Sequence, residues 1–215
     1  MKLRLHSVEL QLLPERAVWW PARKLLIVAD VHLGKDQVFR RHGVSIPDGV
    51  LRHELDALDA LLANHAAEKL LVLGDWVHAP PADGDAWPDI VLDWRKRYAQ
   101  LHIELVLGNH DRALSGWLQR WKIACIGASF MLDGLMLVHA VDAEKETLPA
   151  GLSGHWHPAA RLRSGREKLR LPAFALRDQH LILPSFGRFT GGMDGLDRQG
   201  WQLLAVAGQR IVAVS

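Results

Sequence analysis

Seven side chains of metal-binding type stand just after apolar runs in this sequence: Asp30, His32, Asp75, Asn109, His139, His155 and His157. They fall in five polar segments: Asp30-Val31-His32, Gly74-Asp75, Gly108-Asn109-His110-Asp111, His139 alone, and Gly154-His155-Trp156-His157. Two-residue spacing at an extended chain end puts Asp30 and His32 on one side, and likewise His155 and His157, so each pair can reach one ion. Gly74 lets the chain turn sharply and leaves Asp75 exposed at the tip, and one Asp carboxylate can bridge two cations ~3.5–4 Å apart. Asn109 can offer its amide oxygen. The adjacent His110 then points elsewhere, where it can donate a proton or stabilise charge on a phosphoryl group. Asp111 is expected to orient and charge that imidazole. Mixed N and O donors without thiolate suit Mn²⁺, Fe or Zn²⁺ better than Ca²⁺ or a structural zinc. The chemistry this points to is hydrolysis of a phosphoester by two divalent ions.

The elements that must position these groups show in the hydropathy pattern. Val8-Glu9-Leu10-Gln11-Leu12 alternates like a half-buried strand, while the continuous apolar runs near 24–29, 70–73, 104–107 and 135–138 fit strands covered on both faces. Between Asp48 and Ala67, Val50, Leu51, Leu55, Leu58, Leu61 and Leu62 recur at three- and four-residue steps, which predicts a helix started by Pro47 and Asp48. Ile90, Val91, Trp94 and Tyr98 predict a second helix over 87–100. After His157 the pattern changes to short strands near 169–174, 180–183, 201–206 and 210–214. The expectation is one α/β domain over 1–215, with two mixed sheets and helices outside. All the polar segments should then converge at the carboxyl edge of one sheet.

Composition narrows the class. At 215 residues with 49% hydrophobic and 23% charged content, the chain can bury a real core and does not read as disordered. The net charge of +2 is too small to argue for nucleic acid by itself. Basic clusters at Arg40-Arg41, at Arg95-Lys96-Arg97 and across Arg161, Arg163, Arg166, Lys168 and Arg170 could track a phosphate backbone, although taken alone they read more simply as a solvated loop and strand face. Cys125 has no partner for a disulfide, which favours a reducing, cytoplasmic setting. No signal peptide is visible, and no apolar run approaches the ~18 residues needed to span a bilayer.

Several residues carry a weaker signal. His78, three residues after Asp75, reads as a structural or supporting group near the site rather than a ligand. Lys35 and Arg40 follow the first motif and could bind substrate phosphates. His6, His53, His65, His102 and His180 read as surface or hydrogen-bonded histidines, and most of the nine tryptophans as packing residues. The segment 186–192 reads as a turn closing the second sheet, because no helix pattern follows it.

The order D-x-H, GD, GNH[D/E], H and GHxH, spread here over residues 30 to 157, resembles the calcineurin-like metallophosphoesterases. That resemblance implies a four-layer sandwich of two sheets flanked by helices. It also implies one metal held by Asp30, His32, Asp75 and His157 and another held by Asp75, Asn109, His139 and His155, with Asp75 bridging. In such enzymes a metal-bridging hydroxide attacks phosphorus and the histidine at the position of His110 assists the leaving oxygen. Further runs are similar to the bacterial ligase-associated DNA damage response endonucleases: Ala29-Asp30-Val31-His32-Leu33-Gly34-Lys35, the stretch 39–47, Arg170-Leu171-Pro172-Ala173-Phe174 and the stretch 183–192. This implies a Mn-dependent DNA phosphodiesterase or endonuclease that works in DNA repair beside a DNA ligase and a helicase. Trp76 stands where that pattern has Leu. The same chemistry would also serve a phosphodiesterase of cyclic nucleotides or other small nucleotide derivatives. A non-catalytic scaffold on this fold is the remaining alternative, but its usual ligand losses are not seen here.

Overall fold

The computed structural model describes residues 1–164 and 167–214; Arg166 of the basic run lies outside them. Seven strands form the first sheet in chain order: β1 (Lys2–Leu5), β2 (Val8–Leu13), β3 (Ala17–Trp20), β4 (Leu25–Val28), β5 (Lys69–Leu73), β6 (His102–Val106) and β7 (Ala124–Cys125). The first four pair antiparallel and the last three join in parallel. The parallel steps are bridged by α1 (Lys35–Arg41) and α2 (Val50–His65), then α3 (Trp87–Arg97), then α4 (Ser115–Arg120). The second sheet contains β8 (Ser129–Leu132), β9 (Leu135–Val138), β10 (Gly151–Ser153), β11 (Ala159–Ser164), β12 (Glu167–Arg177), β13 (His180–Ile182), β14 (Gln202–Ala207) and β15 (Arg210–Val214). Its order is β15-β14-β12-β13-β10-β9-β8, with β11 hairpinned onto β12. Both sheets are mixed, as expected, because β10 pairs in parallel with β9 and β13.

The burial pattern explains the layering. In β4, Leu26 and Val28 face the helices while Leu25 and Ile27 face the second sheet; in β5, Leu70 and Val72 face outward and Leu71 and Leu73 inward. Such strands have no polar face, hence their unbroken apolar runs. The inter-sheet core adds Leu137, Leu152, Phe174 and Leu181 from the opposite layer. On the helical side, Leu51, Leu55, Leu58, Leu61 and Leu62 of α2 lie against β4 to β6, each contributing ~1.5–3 kcal/mol by leaving water. Among the tryptophans, Trp20, Trp76, Trp94 and Trp121 are fully buried, and Trp76 packs 6.2 Å from Trp94. The outer face of the second sheet is lined by small residues such as Ala173, Ala175 and Ala205. Among the described residues it is covered by Trp201, a 3₁₀ turn (Leu196–Gln199) and the chain around Ala143, and by no α-helix.

The helix over Val50–His65 is where periodicity predicts it, but its N-cap is Gly49, at φ +84°, rather than Pro47 or Asp48. The second helix stops at Arg97, three residues short of the expected end. β1, β3, β7, β8, β10 and the short α1 and α4 escape a periodicity reading because each is too brief to show a repeat, and β11, as long as β2, escapes it as well.

Register is what matters for the site. Val28 pairs with Val72, and Leu73 with Val106, so β4, β5 and β6 end level with one another. Leu137 pairs with Leu152, and Ser153 with Ile182, which sets the ends of β9, β10 and β13 level on the other sheet. Replacing Leu58, fully buried between α2 and the sheet, by Ala should cost ~2–5 kcal/mol and lower the urea midpoint at constant m-value, whereas the exposed Arg52→Ala should stay within ~0.5 kcal/mol.

Candidate metal centre

The polar segments emerge from the carboxyl ends of both sheets, not of one as the sequence suggested. Asp30, Asp75 and Asn109 follow β4, β5 and β6, while His139, His155 and His157 follow β9 and β10 across the sandwich. Nor do the i, i+2 pairs converge by strand alternation. Asp30, His32, Asp75, His155 and His157 have φ of +53°, +53°, +51°, +69° and +44°. They are five of the twelve described non-glycine residues in that sparsely allowed half of backbone space. Such strain persists only where the surroundings over-determine it. Here the segment after β4 runs hydrogen-bonded along the segment after β5: the Asp30, His32 and Leu33 N–H groups donate to the carbonyls of Gly74 (3.1 Å), Asp75 (2.9 Å) and Trp76 (3.0 Å).

Asp75 is buried rather than exposed at a tip, because the second sheet closes over it. The glycines beside it are required by space as well as by turning. A Cβ on Gly74, at φ +81°, would lie 2.0 Å from His139 Nδ1, and one on Gly108 would lie 2.1 Å from Asp75 Oδ1.

Inside the site, ring nitrogens and side-chain oxygens crowd together. His139 Nδ1 lies 3.0 Å from the Leu73 carbonyl, which can only accept, so Nδ1 carries the proton and Nε2 the lone pair. That lone pair faces Asn109 Oδ1 at 3.1 Å, His155 Nδ1 at 3.1 Å and Asp75 Oδ2 at 3.7 Å. On the other side, His157 Nδ1 lies 3.2 Å from the Gly191 carbonyl, leaving Nε2 to face Asp30 Oδ1 at 3.3 Å. Both of those atoms, and His32 Nδ1, are buried without a hydrogen-bond partner. His32 Nε2 stands 4.0 Å from Asp75 Oδ2, which puts Asp75 between the two groups. Two sets of three, Asp30, His32, His157 and Asp30, Asp75, His139, each bring one donor atom per residue within 4.8 Å of the others. Unpartnered buried atoms of Asp30, His32 and His157, converging with the Asp75 carboxylate and the His139 lone pair, fit a pair of divalent cations. Burial also holds His32 down to about 2 and lowers His155, which keeps both imidazoles neutral, the form that binds metal.

The neighbouring residues divide. His110 is part-exposed, with Nε2 3.9 Å from Asp75 Oδ2, so it can reach a group bound over the centre. Asp111 does not touch that imidazole, contrary to expectation. It turns inward and accepts from the backbone N–H groups of Asp75 (2.7 Å), Trp76 (2.9 Å) and Gly108 (3.0 Å), which ties the second motif to the third. Burial, partly offset by these donors, raises its carboxyl to about 6. His78 stacks on His110 with centroids 5.1 Å apart and meets His32 edge-on at 5.5 Å; burial and the Lys35 charge push it down to about 4. Lys35 is half-buried beside the site, within reach of the charges of Asp30 and Asp75. Arg40, which the sequence offers as one of two basic groups that could bind substrate phosphates, is occupied by the α1–α2 connection. It donates to the carbonyls of Ile46 (3.3 Å) and Pro47 (2.7 Å) and pairs with Asp36 (3.6 Å) and Asp48 (3.1 Å).

The segment 184–193 does more than close a sheet. Its Phe186 and Gly187 N–H groups donate to the carbonyls of Ala29 (2.8 Å) and Asp30 (3.2 Å), and Ser185 Oγ donates to the Asp30 carbonyl at 2.7 Å. At its far end the Met193 N–H donates to the His157 carbonyl at 2.8 Å. One stretch therefore clamps the strained first and last motifs together, a role that only backbone contacts reveal. Beneath it, Glu54 is buried on α2 and its carboxylate accepts from the Arg188 N–H at 3.3 Å. Desolvation pushes that carboxyl up to about 8.

This site and fold define a known class. Residues 23–141 match the calcineurin-like phosphoesterases, and the chain belongs to that family, whose members bind two divalent metals. A nuclease of Pseudomonas putida, MPE, has a crystal structure that superposes with a TM-score of 0.82 at 33% identity, covering 100% of this chain and 99% of that one. A phosphoesterase of E. coli, Yfce, aligns over 88% of this chain and 97% of its own at 19% identity and a TM-score of 0.46. No curated protein sequence matches.

The Glu54 carboxyl gives a testable pH dependence. Its folded pKa of about 8 exceeds its ordinary value of 4.5, so between these limits the folded chain holds a proton that the unfolded chain releases. The stability it contributes is full below pH 4.5 and is lost as pH rises toward 8. Denaturant midpoints measured from pH 5 to 8 should therefore fall less for Glu54→Gln than for the parent; parallel curves would refute the assignment.

Proposed function

We propose that this protein is a binuclear metal-dependent phosphodiesterase that cleaves DNA as an endonuclease, with Mn²⁺ as its favoured metal and DNA repair, in association with a ligase and a helicase, as its setting. The observation that carries the chemistry is the convergence of Asp30, Asp75, Asn109, His139, His155 and His157, in which the buried Asp30 Oδ1 and His157 Nε2 face each other at 3.3 Å with no hydrogen-bond partner. The full-length likeness to a nuclease at 33% identity supports a nucleic-acid substrate over a small nucleotide.

The two ions, when bound, supply an activated water and neutralise charge on the phosphoryl oxygens. Asp30, His32, Asp75 and His157 would hold one, and Asp75, Asn109, His139 and His155 the other, with Asp75 shared. His110 stands beside this set with an exposed edge and a nitrogen free to donate to the departing oxygen. His78, stacked against it, limits the imidazole's rotation. Asp111 and the 184–193 segment hold the backbone of the motifs so that the ligands stay in place when the site is loaded and unloaded.

Purified protein with Mn²⁺ should nick supercoiled plasmid and hydrolyse bis(p-nitrophenyl) phosphate, and chelation should abolish both. Asp75→Ala and Asn109→Ala should lose turnover together with bound metal, measured by elemental analysis. His110→Ala should retain two metals per chain yet turn over ~10²–10⁴-fold more slowly. Inactivity on both substrates with every divalent metal would sink the enzymatic reading; hydrolysis of cyclic nucleotides in preference to DNA would replace the substrate.

A further inference from the structure

A cavity of about 320 Å³ opens beside the metal centre, with His157 on its wall. It is lined by Arg16, Arg170 and Arg188, and among the described residues no carboxylate lines it. Arg170 is already paired: its Nε donates to Asp194 at 2.8 Å, and Asp194 also binds Arg161. Arg16 and Arg188 differ. Arg16 makes one long contact, 3.5 Å from the Ser185 carbonyl, and among the described residues the Arg188 guanidinium has no hydrogen bond or ion pair.

Their placement is enforced from both sides. Arg16 sits at φ +65° in the turn between β2 and β3, and Arg188 belongs to the segment that clamps the Asp30 motif. Both guanidiniums also wall a second cavity, which continues past Glu54. The proximity of Arg188 is one cause of the lowered pKa of Arg16, after burial itself. Glu54, on the wall of that second cavity, has its carboxyl pushed up to about 8 by burial, which weakens the counter-charge it offers the pair. Two uncompensated guanidiniums held over one cavity repel each other, and an anion with several acceptor oxygens between them removes that repulsion.

We propose that Arg16 and Arg188 form a phosphate subsite beside His157, which grips a non-scissile phosphate of a nucleic-acid strand while the metal centre acts on its neighbour. This rests on the nuclease reading above and deepens it: substrates carrying more than one backbone phosphate gain affinity that a single phosphodiester does not.

The test compares substrates by phosphate count. With Mn²⁺, the parent enzyme should show a higher kcat/KM on a single-stranded oligonucleotide than on thymidylyl-thymidine, which has one phosphate. Arg188→Ala should lower kcat/KM on the oligonucleotide by about tenfold or more, with a loss at least about fivefold smaller on the dinucleotide. Arg188→Lys should keep most of the difference, and Arg188→Glu should enlarge the loss. In EDTA, anisotropy of a fluorescein-labelled oligonucleotide should give a log K against log salt slope shallower by about 0.7 in the Arg16→Ala/Arg188→Ala double variant, which no longer neutralises that one phosphate. Equal losses on both substrates, or an unchanged salt slope, overturn the subsite while leaving a parent enzyme that cuts DNA. A parent enzyme that hydrolyses bis(p-nitrophenyl) phosphate but neither binds nor cuts DNA overturns the nuclease reading, and the subsite with it.

Discussion

The arrangement depends on a repulsion. Asn109, His139 and His155 crowd around one point at the mouth of the site, while the buried lone pairs of Asp30 Oδ1 and His157 Nε2 meet at another with no partner, and the buried Asp75 lies near both. Without cations such a cluster is costly, because a buried acceptor facing another acceptor keeps its full desolvation penalty. Everything around it resists relaxation. The level strand ends fix where the motifs emerge, and the glycines at 74 and 108 leave no room for the cluster to spread.

That resistance is built mostly from backbone contacts. Asp111 collects three N–H groups from two loops, and Ser185 with its neighbours holds the Ala29–Asp30 carbonyls from the opposite sheet. These bonds offset the strain of five ligand residues in left-handed conformations, so the ligands are held before any ion arrives. Preorganisation of this kind is what lets a metal site act on a phosphoester without rearranging first. The clamp also explains why the site lies between two sheets. One sheet contributes the acids and the amide, the other most of the imidazoles, and the 184–193 segment ties the two edges together.

The ionisable groups follow the same division. Burial keeps His32 and His155 neutral for coordination, and the raised carboxyl of Glu54 weakens the counter-charge beneath the arginines. A modest net charge of +2 therefore coexists with a locally basic wall next to the metal centre.

The ligand types, their order and their position after apolar runs were legible in the sequence, because metal chemistry restricts which side chains serve and strands covered on both faces must be apolar throughout. The helix over Val50–His65 was legible for the same kind of reason, a repeat long enough to count. What the sequence could not reveal were contacts between residues far apart in the chain. Strand alternation is the wrong reason for the convergence of Asp30 with His32, since both residues lie beyond β4 in left-handed turns that their neighbours enforce. Asp111 binds backbone donors instead of His110, Arg40 serves its own loop, and Arg188 comes to stand near Arg16, 172 residues away in the chain. Local patterning reports what each segment needs to bury or to bind. Which loop meets which across the two sheets is set only when the inter-sheet core closes, and that closure decides how the site is held and what lies beside it.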